Sequence, residues 1–391
     1  MKILVVVPWA PSVTRPRSLG LIKHLAENNE VVVVGAGWSE TEIEELLELP
    51  VSRVVPVRLR KISAYFRCIL GLVLGRSLQQ SYVDANKFRR VIRRELAAFQ
   101  PDLGYLNVIR TAQFVNEFEN VPTVIDLDEF RSAYYDLLSI TSRNPVWRMI
   151  AKIEARRMRR AEVKVLEAFD GILVSSPNDL VDGHYNVSLV RSPHALSGVS
   201  PPTPEARIAG SIIFVGRQSY RANSEAVSWF VRQVFPRVVE HIPGAHLTIV
   251  GDAPSRSIMQ MAGPQISVTG RVESLTGYYS TASVSIIPIR MATGVQMKLI
   301  ESMALGAPVV ATPIVVQGAG VTEAHCMVAD TADEWVSSVV EVLLDSQKGL
   351  ALAKEAARWA SSTYSPEAIG ASLDLALAEL RMPDQQRNMA Q

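Results

Sequence analysis

Cysteine is nearly absent from this sequence, and so is any excess of charge. The two cysteines, Cys68 and Cys326, stand far apart. That fits a reducing compartment and offers neither a disulfide scaffold nor a cysteine-held metal cluster. The formal net charge is +1, so no global field draws the chain to nucleic acid, and any basic partner site has to be local. Long apolar runs are missing too. The N-terminal run, residues 3–7, ends at Pro8, short of a signal sequence. No stretch reaches the roughly 18 apolar residues of a spanning helix. These shortages predict a cytoplasmic chain. Glycine fingerprints are incomplete as well. Gly35-Ala-Gly37 follows a strand-like run, but Glu40 stands where a dinucleotide loop needs its third glycine, which sets a dehydrogenase aside; a P-loop kinase goes with it.

What is present suits a globular chain of two domains: 391 residues, 48% hydrophobic and 20% charged. Short continuous apolar runs alternate with helical stretches. Residues 3–7, 31–34, 103–106, 121–125, 171–175 and 189–194 read as buried strands in the first half. Residues 211–215, 245–250, 266–269, 284–289 and 309–311 do so in the second. Alternation of this kind predicts parallel sheets. Pro201, Pro202 and Pro204 mark a linker over residues 197–204. The expected domains are 1–200 and 201–365. Asn223 is expected to cap the helix that runs to Phe235, and the polar residues 383–391 form a disordered tail.

The stretch over residues 284–313 carries the chemistry. It reads strand, small-residue loop (Ala292-Thr293-Gly294), helix over residues 296–305, then strand, with Gly306 and Pro308 stopping the helix. Ligands of open α/β sheets bind beyond the carboxyl ends of strands. Backbone N–H groups of a loop opening a helix can point at an anion. Lys298 and Glu301 share a face of that helix. The lysine can neutralise phosphate, and the carboxylate can accept hydrogen bonds from vicinal hydroxyls. The spacing fits equally well a solvated Lys–Glu pair.

This stretch resembles the donor-binding motif of the large retaining GT-B glycosyltransferase family called group 1 or family 4, whose helix reads like KxxEAMAxGxPVVAT. Here Lys298-Leu-Ile-Glu301-Ser-Met-Ala-Leu-Gly306-Ala-Pro308-Val-Val-Ala-Thr312 matches almost position for position. FVGR, LTIVGDAP and VTGRV precede it in family order. Thr293 stands where the common pattern has a first glutamate; Gly294, Lys298 and Glu301 fit a Gly-x-x-x-Lys-x-x-Glu version. The resemblance is looser in the first half.

It implies an α/β GT-B fold of two facing Rossmann-like domains with a cleft between them, the last helix (366–382) returning to the first. It implies sugar transfer from a nucleotide-diphosphate-sugar, with retention, to a glycan, lipid-linked or small-molecule acceptor. Arg217 and Lys298 would meet the diphosphate and Glu301 the ribose. Gly270-Arg271 would lie beside the base. Gly216, Thr293, Gly294, Val295 and Gln296 would complete the donor site. No cofactor is implied beyond the donor substrate. The second half carries no Asp-x-Asp for a metal; Arg217, Lys298 and the helix terminus near Gln296 can supply the positive charge instead.

Acceptor-side candidates lie in the first half. Arg15 and Arg17 open its first helix and can meet phosphate or acceptor, or simply be solvated. His194 stands where relatives often show Asn-Gly. Asp126 and Asp128 end a strand; alternation turns both to one side and Leu127 to the other, a pair suited to proton traffic. Basic helical stripes at residues 87–94 and 152–164 read either as ordinary wet faces or as contacts to anionic lipid, peripheral at the inner face of a membrane. A nucleotide-sugar 2-epimerase of the same fold and a degenerate nucleotide-sugar binder remain alternatives.

Overall fold

A computed structural model describes residues 1–142, 144–181, 186–193 and 207–380. The expected linker, His194 and the expected tail all lie outside them. The chain divides into two compact units. One is Met1–Pro193 with the residues from Ile369 onward, and the other is the chain between, ending at Ala368.

The first unit is built on seven strands: β1 (Lys2–Val7), β2 (Glu30–Gly37), β3 (Arg53–Arg58), β4 (Leu103–Asn107), β5 (Thr123–Asp128), β6 (Gly171–Val174) and β7 (Val187–Leu189). They form one parallel sheet in the order β3-β2-β1-β4-β5-β6-β7. Both faces are covered, so the strands are apolar throughout. Leu4, Val6, Val32 and Val34 enter one buried cluster; Ile3, Val5, Val7, Val31 and Val33 enter the other. Gly35 and Gly37 lie inside β2, so they form no phosphate loop.

The second unit has β8 (Ile208–Val215), β9 (His246–Val250), β10 (Ile266–Gly270), β11 (Ala282–Ile287), β12 (Val309–Ala311) and β13 (Met327–Val328). The order is β10-β9-β8-β11-β12-β13, again all parallel. Ile212, Phe214, Leu247 and Ile249 face a core that holds the buried Trp335. The direction of connection reverses between β8 and β11, the place where open sheets leave a crevice.

Two strands were not expected. β3 is an edge strand holding Arg53, Pro56 and Arg58, and edges tolerate both charge and proline. β13 has only two residues. One cap is corrected. The helix after β8 is Arg221–Gln233 with Tyr220 at its N-cap; Asn223 lies within the helix and its side chain is used elsewhere.

The last helix, Pro366–Glu379, changes unit along its length. From Ile369 on it belongs to the first unit, where Ile369, Leu373, Ala376 and Leu377 pack with β1 and β2 residues. Gly370 allows close approach: a Cβ there would stand 2.4 Å from the His24 ring. Replacing Leu373, fully buried, with alanine should therefore destabilise the first unit by about 2–5 kcal/mol. Native-state hydrogen exchange would report this as faster exchange at β1 and β2, with β8 and β9 unchanged. The opposite pattern would assign the helix to the second unit.

Candidate functional site

The reversal point of the second sheet opens into a cavity of about 640 Å³. Gly216, Arg217, Arg271, Gln296, Lys298 and Glu301 line it, joined by Tyr220, Asn223, Asp252 and Leu275. Six of the residues singled out in the sequence thus meet in one place.

Two glycines shape its floor. Gly251 has φ +147°, and a Cβ on it would fall 2.0 Å from the Gly216 carbonyl oxygen. A Cβ on Gly216 would press on the Asn223 amide at 2.8 Å and the Lys298 ammonium at 3.1 Å. The exits of β8 and β9 can therefore close together only with glycine at both positions. Gly294 adopts φ +61° in the loop after β11, and its carbonyl would be 2.7 Å from a Cβ on Gly318. Thr293, Gly294, Val295 and Gly270 do not line the cavity; they carry the loops that do.

The Met297–Ala304 helix starts at Gln296 without a side-chain cap. Gln296 instead donates to the Thr293 carbonyl at 3.4 Å. The first-turn amides thus keep their donor capacity for an anion. The helix is fixed to β11 by Ser302. Its hydroxyl donates to the Lys298 carbonyl at 2.7 Å and pairs with the Ser285 hydroxyl at 2.8 Å.

That anchoring holds Lys298 in a desolvated place. Its ammonium donates to Asn223 Oδ1 and lies 5.4 Å from the Phe214 ring centroid. Asn223 in turn donates to the Arg217 carbonyl at 2.9 Å. Among the described residues no carboxylate comes within ion-pair distance of Lys298. Burial lowers its pKa to about 7, against the opposing pull of Glu301. Burial likewise raises Glu301 to about 7, against Lys298 and against Tyr279, whose hydroxyl donates to Oε2 at 3.5 Å. Arg217 and Arg271 are exposed and form no ion pair among the described residues. Arg221 is engaged by Glu225 at 2.7 Å and is not on the cavity wall. Among the described residues no group of three or more His, Cys, Asp or Glu is placed to hold a metal.

Asn223, singled out only as a helix cap, and Tyr279 and Gly251 were not among the site residues expected from the sequence. Gly251 had a signal, since a glycine directly after a strand often marks a close backbone approach.

The other candidates lie in the first unit, where the structure gives them different work. Asp126 is fully buried. Arg17 Nε donates to its Oδ1 at 2.8 Å, Arg17 Nη2 pairs with it at 2.6 Å, and Asn107 donates to Oδ2 at 3.2 Å. Burial raises its pKa while Arg17 pulls it down. Arg17 is itself buried and also donates to the Val190 carbonyl at 2.5 Å and to Ser192 at 3.3 Å. Burial disfavours its cation, but Asp126 and Asp128 outweigh this. Neither group is free to touch a substrate, so the geometry reassigns Asp126 from proton traffic, and Arg17 from acceptor binding, to holding the ends of β5 and the strand-like residues after β7.

Asp128 differs. The sheet register shifts between Asp126 and Asp128, and Asp128 takes the left-handed φ of +66°. Its side chain, 44% exposed, stands 3.6 Å from Arg17 Nε and accepts from Ser192 at 3.5 Å. Leu127 is buried on the opposite side, in the core. Both carboxylates thus converge on one guanidinium, and only Asp128 reaches solvent.

Comparison with known proteins bears on both units. Residues 209–345 match the family model of the group 1 glycosyl transferases. Solved structures match along nearly the whole chain. Sucrose-phosphate synthase from Thermosynechococcus elongatus is 16% identical, with a TM-score of 0.67 over 97% of this chain and 99% of that one. Anabaena HepE in complex with UDP is 12% identical, with a TM-score of 0.69 over 97% and 100%. The E. coli trehalose-6-phosphate structure bound with UDP-2-fluoro glucose is 12% identical, with a TM-score of 0.62 over 98% and 99%. The fold is GT-B. No curated protein matches the chain. The GT-B architecture therefore rests on the whole chain, and the family match rests on the unit that holds the cavity.

The two shifted groups set the pH response of this GT-B site. For an anion that does not itself ionise near neutrality, the protein's own groups dominate. If such an anion needs the Lys298 cation, binding takes up a proton above pH 7 and weakens as pH rises. If a ligand's hydroxyls need the Glu301 carboxylate, binding releases a proton below pH 7 and weakens as pH falls. Affinity measured calorimetrically against pH is therefore expected to peak near 7, and Glu301→Gln should remove the acid limb and, by taking away its pull on the Lys298 cation, draw the alkaline limb to lower pH. A flat profile between pH 6 and 8 would show that neither group meets the ligand.

Proposed function

We propose that this chain is a glycosyltransferase. It moves a sugar from a nucleotide-diphosphate-sugar to an acceptor hydroxyl, with retention of the anomeric configuration and without a metal ion. The observation that carries this reading is the desolvated Lys298 ammonium. It faces the cavity beside an uncapped helix terminus and Arg217, with no carboxylate in ion-pair reach among the described residues. A cation held at that cost is suited to a ligand that brings its own negative charge. The group 1 match over the same residues, and the UDP and UDP-sugar carried by structures of the same fold, support a nucleotide-sugar donor.

In the reaction the bond between the anomeric carbon and the diphosphate oxygen breaks, and a bond to the acceptor oxygen forms. Charge builds on the leaving diphosphate. Arg217, Lys298 and the first-turn amides of the Met297–Ala304 helix stabilise it where it builds. Glu301 accepts from the ribose hydroxyls, with Tyr279 orienting it. The acceptor's proton passes to the departing phosphate, so retention needs no strong base. Asp128 is the carboxylate left for orienting an acceptor hydroxyl. The acceptor is a glycan, a lipid-linked sugar or a small molecule; a lipid-linked one would place the chain at an anionic membrane surface.

A thermal-shift screen of nucleoside diphosphates and their sugars identifies the donor, because a ligand of the native state stabilises by mass action. Turnover is then expected to persist in EDTA, and Arg217→Ala should lower it by roughly two orders of magnitude, the scale of one lost transition-state donor. Loss of activity in EDTA with recovery in Mg²⁺ would overturn the metal-free reading. Conversion of the donor alone to its 2-epimer would replace transfer by epimerisation.

The first unit supplies a second test. Asp126→Asn is expected to destabilise that unit by about 3–5 kcal/mol, the cost of stripping a buried ion pair of one partner. Asp128→Asn should leave stability and donor affinity intact and lower turnover. Unfolding curves and donor titrations separate the two, and full turnover in a folded Asp128→Asn would remove Asp128 from the acceptor side.

A further inference from the structure

The Lys61–Val73 helix, in the first unit, is built inside out. Its buried residues are Ala64 and Gly71. Gly71 seats the helix so closely on its neighbour that a Cβ would stand 2.1 Å from Ser81 Oγ. The small residues thus face inward, and the large apolar ones are left outside. Ile62 is 73% exposed, Phe66 68%, Ile69 60% and Val73 81%. Globular surfaces scatter single apolar residues but rarely gather them on one helix.

A second element adjoins the end of this helix. Arg157, in the Pro145–Ala168 helix, donates to the Leu72 carbonyl at 2.8 Å and the Arg76 carbonyl at 3.5 Å. Glu154 accepts from the Leu78 N–H at 2.7 Å. One to three turns earlier on that helix, Val146, Trp147, Met149 and Ile153 are also exposed.

Charge decides what covers this surface. No acidic residue stands between Glu48 and Asp84, and none between Asp136 and Glu154. Arg60, Lys61, Arg148, Lys152 and Arg156 are exposed, and no carboxylate lies within ion-pair distance of them among the described residues. The stripe at residues 87–94 is different: Arg89 pairs with Asp84 and Glu117, and Arg93 with Glu117. Arg94 also lies 3.9 Å from Glu95, so part of the stripe's charge is met within the protein, and no large apolar side chain is exposed on that helix.

We propose that the Lys61–Val73 helix and residues 146–153 form a docking face for an anionic lipid surface. Phe66, Ile69, Val73 and Trp147 enter the headgroup boundary, and the surrounding arginines and lysines meet lipid phosphates. A second copy is the poorer occupant, because a two-fold contact would bring the same cations together with no carboxylate between them. No helix among the described residues is long and apolar enough to cross a membrane, so the face lies on the surface and does not span it. The proposal goes beyond the transferase reading and stands without it.

Flotation of the full chain with vesicles tests it. Binding is expected to equimolar phosphatidylcholine and phosphatidylglycerol and not to phosphatidylcholine alone. Added salt at about 0.5 M should weaken it severalfold, because the attraction between exposed charges is screened. Phe66→Ser with Ile69→Ser should lower the bound fraction at least roughly tenfold, since apolar burial supplies part of the affinity. Val73→Ser with Leu74→Ser repeats that test on other residues should the first pair fail to fold. Lys61→Glu with Lys152→Glu should abolish binding, and Lys87→Glu with Arg90→Glu should not, because the Asn86–Phe99 helix exposes no large apolar side chain beside those cations. Donor binding, measured separately, stays unchanged in every variant. The proposal is overturned by equal binding to both vesicle types or by wild-type binding in the serine variants. A lipid-free dimer that the serine variants dissolve would overturn it too.

Discussion

The cavity of the second unit is organised around one half-buried ammonium group that has no carboxylate in ion-pair reach among the described residues. Lys298 sits where burial pulls its pKa to about 7, with an amide and an aromatic ring as its neighbours. Each nearby feature keeps it there. Gly216 and Gly251 leave the space, Asn223 supplies the one short hydrogen bond, and Ser302 and Ser285 lock the helix to its strand. Such an arrangement lowers the stability of the free protein, a loss that the proposed anionic ligand would recover. Glu301, raised to the same range beside it, makes the pair sensitive to whichever ligand orders the charges.

The first unit treats buried charge in the opposite way. Arg17 and Asp126 satisfy one another and are tied off by Asn107, Val190 and Ser192. Little capacity is left over, so this pair fixes geometry. What it fixes is Asp128, turned outward by a left-handed backbone and a register shift. Of these two cations, the buried Arg17 has carboxylates in reach, and the half-buried Lys298 has none within ion-pair distance among the described residues.

This difference marks the limit of what the sequence discloses. Lys298 and Glu301 were legible because three residues on one helix set their relation, and the strands were legible because sheets covered on both faces read as unbroken apolar runs. β3 was not, since an edge strand with Pro56 and two arginines lacks that pattern. Arg17 and Asp126 are 109 positions apart, and no local spacing announces their bond. Asn223 looked like a helix cap because asparagine before a helical run usually is one; its amide instead bridges Lys298 and the Arg217 carbonyl. The basic stripe at residues 87–94 was visible, but its neutralising partner Glu117 comes from another element.

The chain's return to its first unit in the last helix has a consequence for biogenesis. Ile369, Leu373, Ala376 and Leu377 complete a core whose other half is β1 and β2. A ribosome delivers those four side chains after every strand of the second unit. The second unit is contiguous and can close as soon as it emerges, whereas the first must wait to complete a face that Leu21, Ile22 and Leu25 of its first helix cover only in part. The usual order of synthesis, amino-terminal domain first, is thereby inverted for this core. In the interval the part of that core reserved for the last helix stays accessible to water.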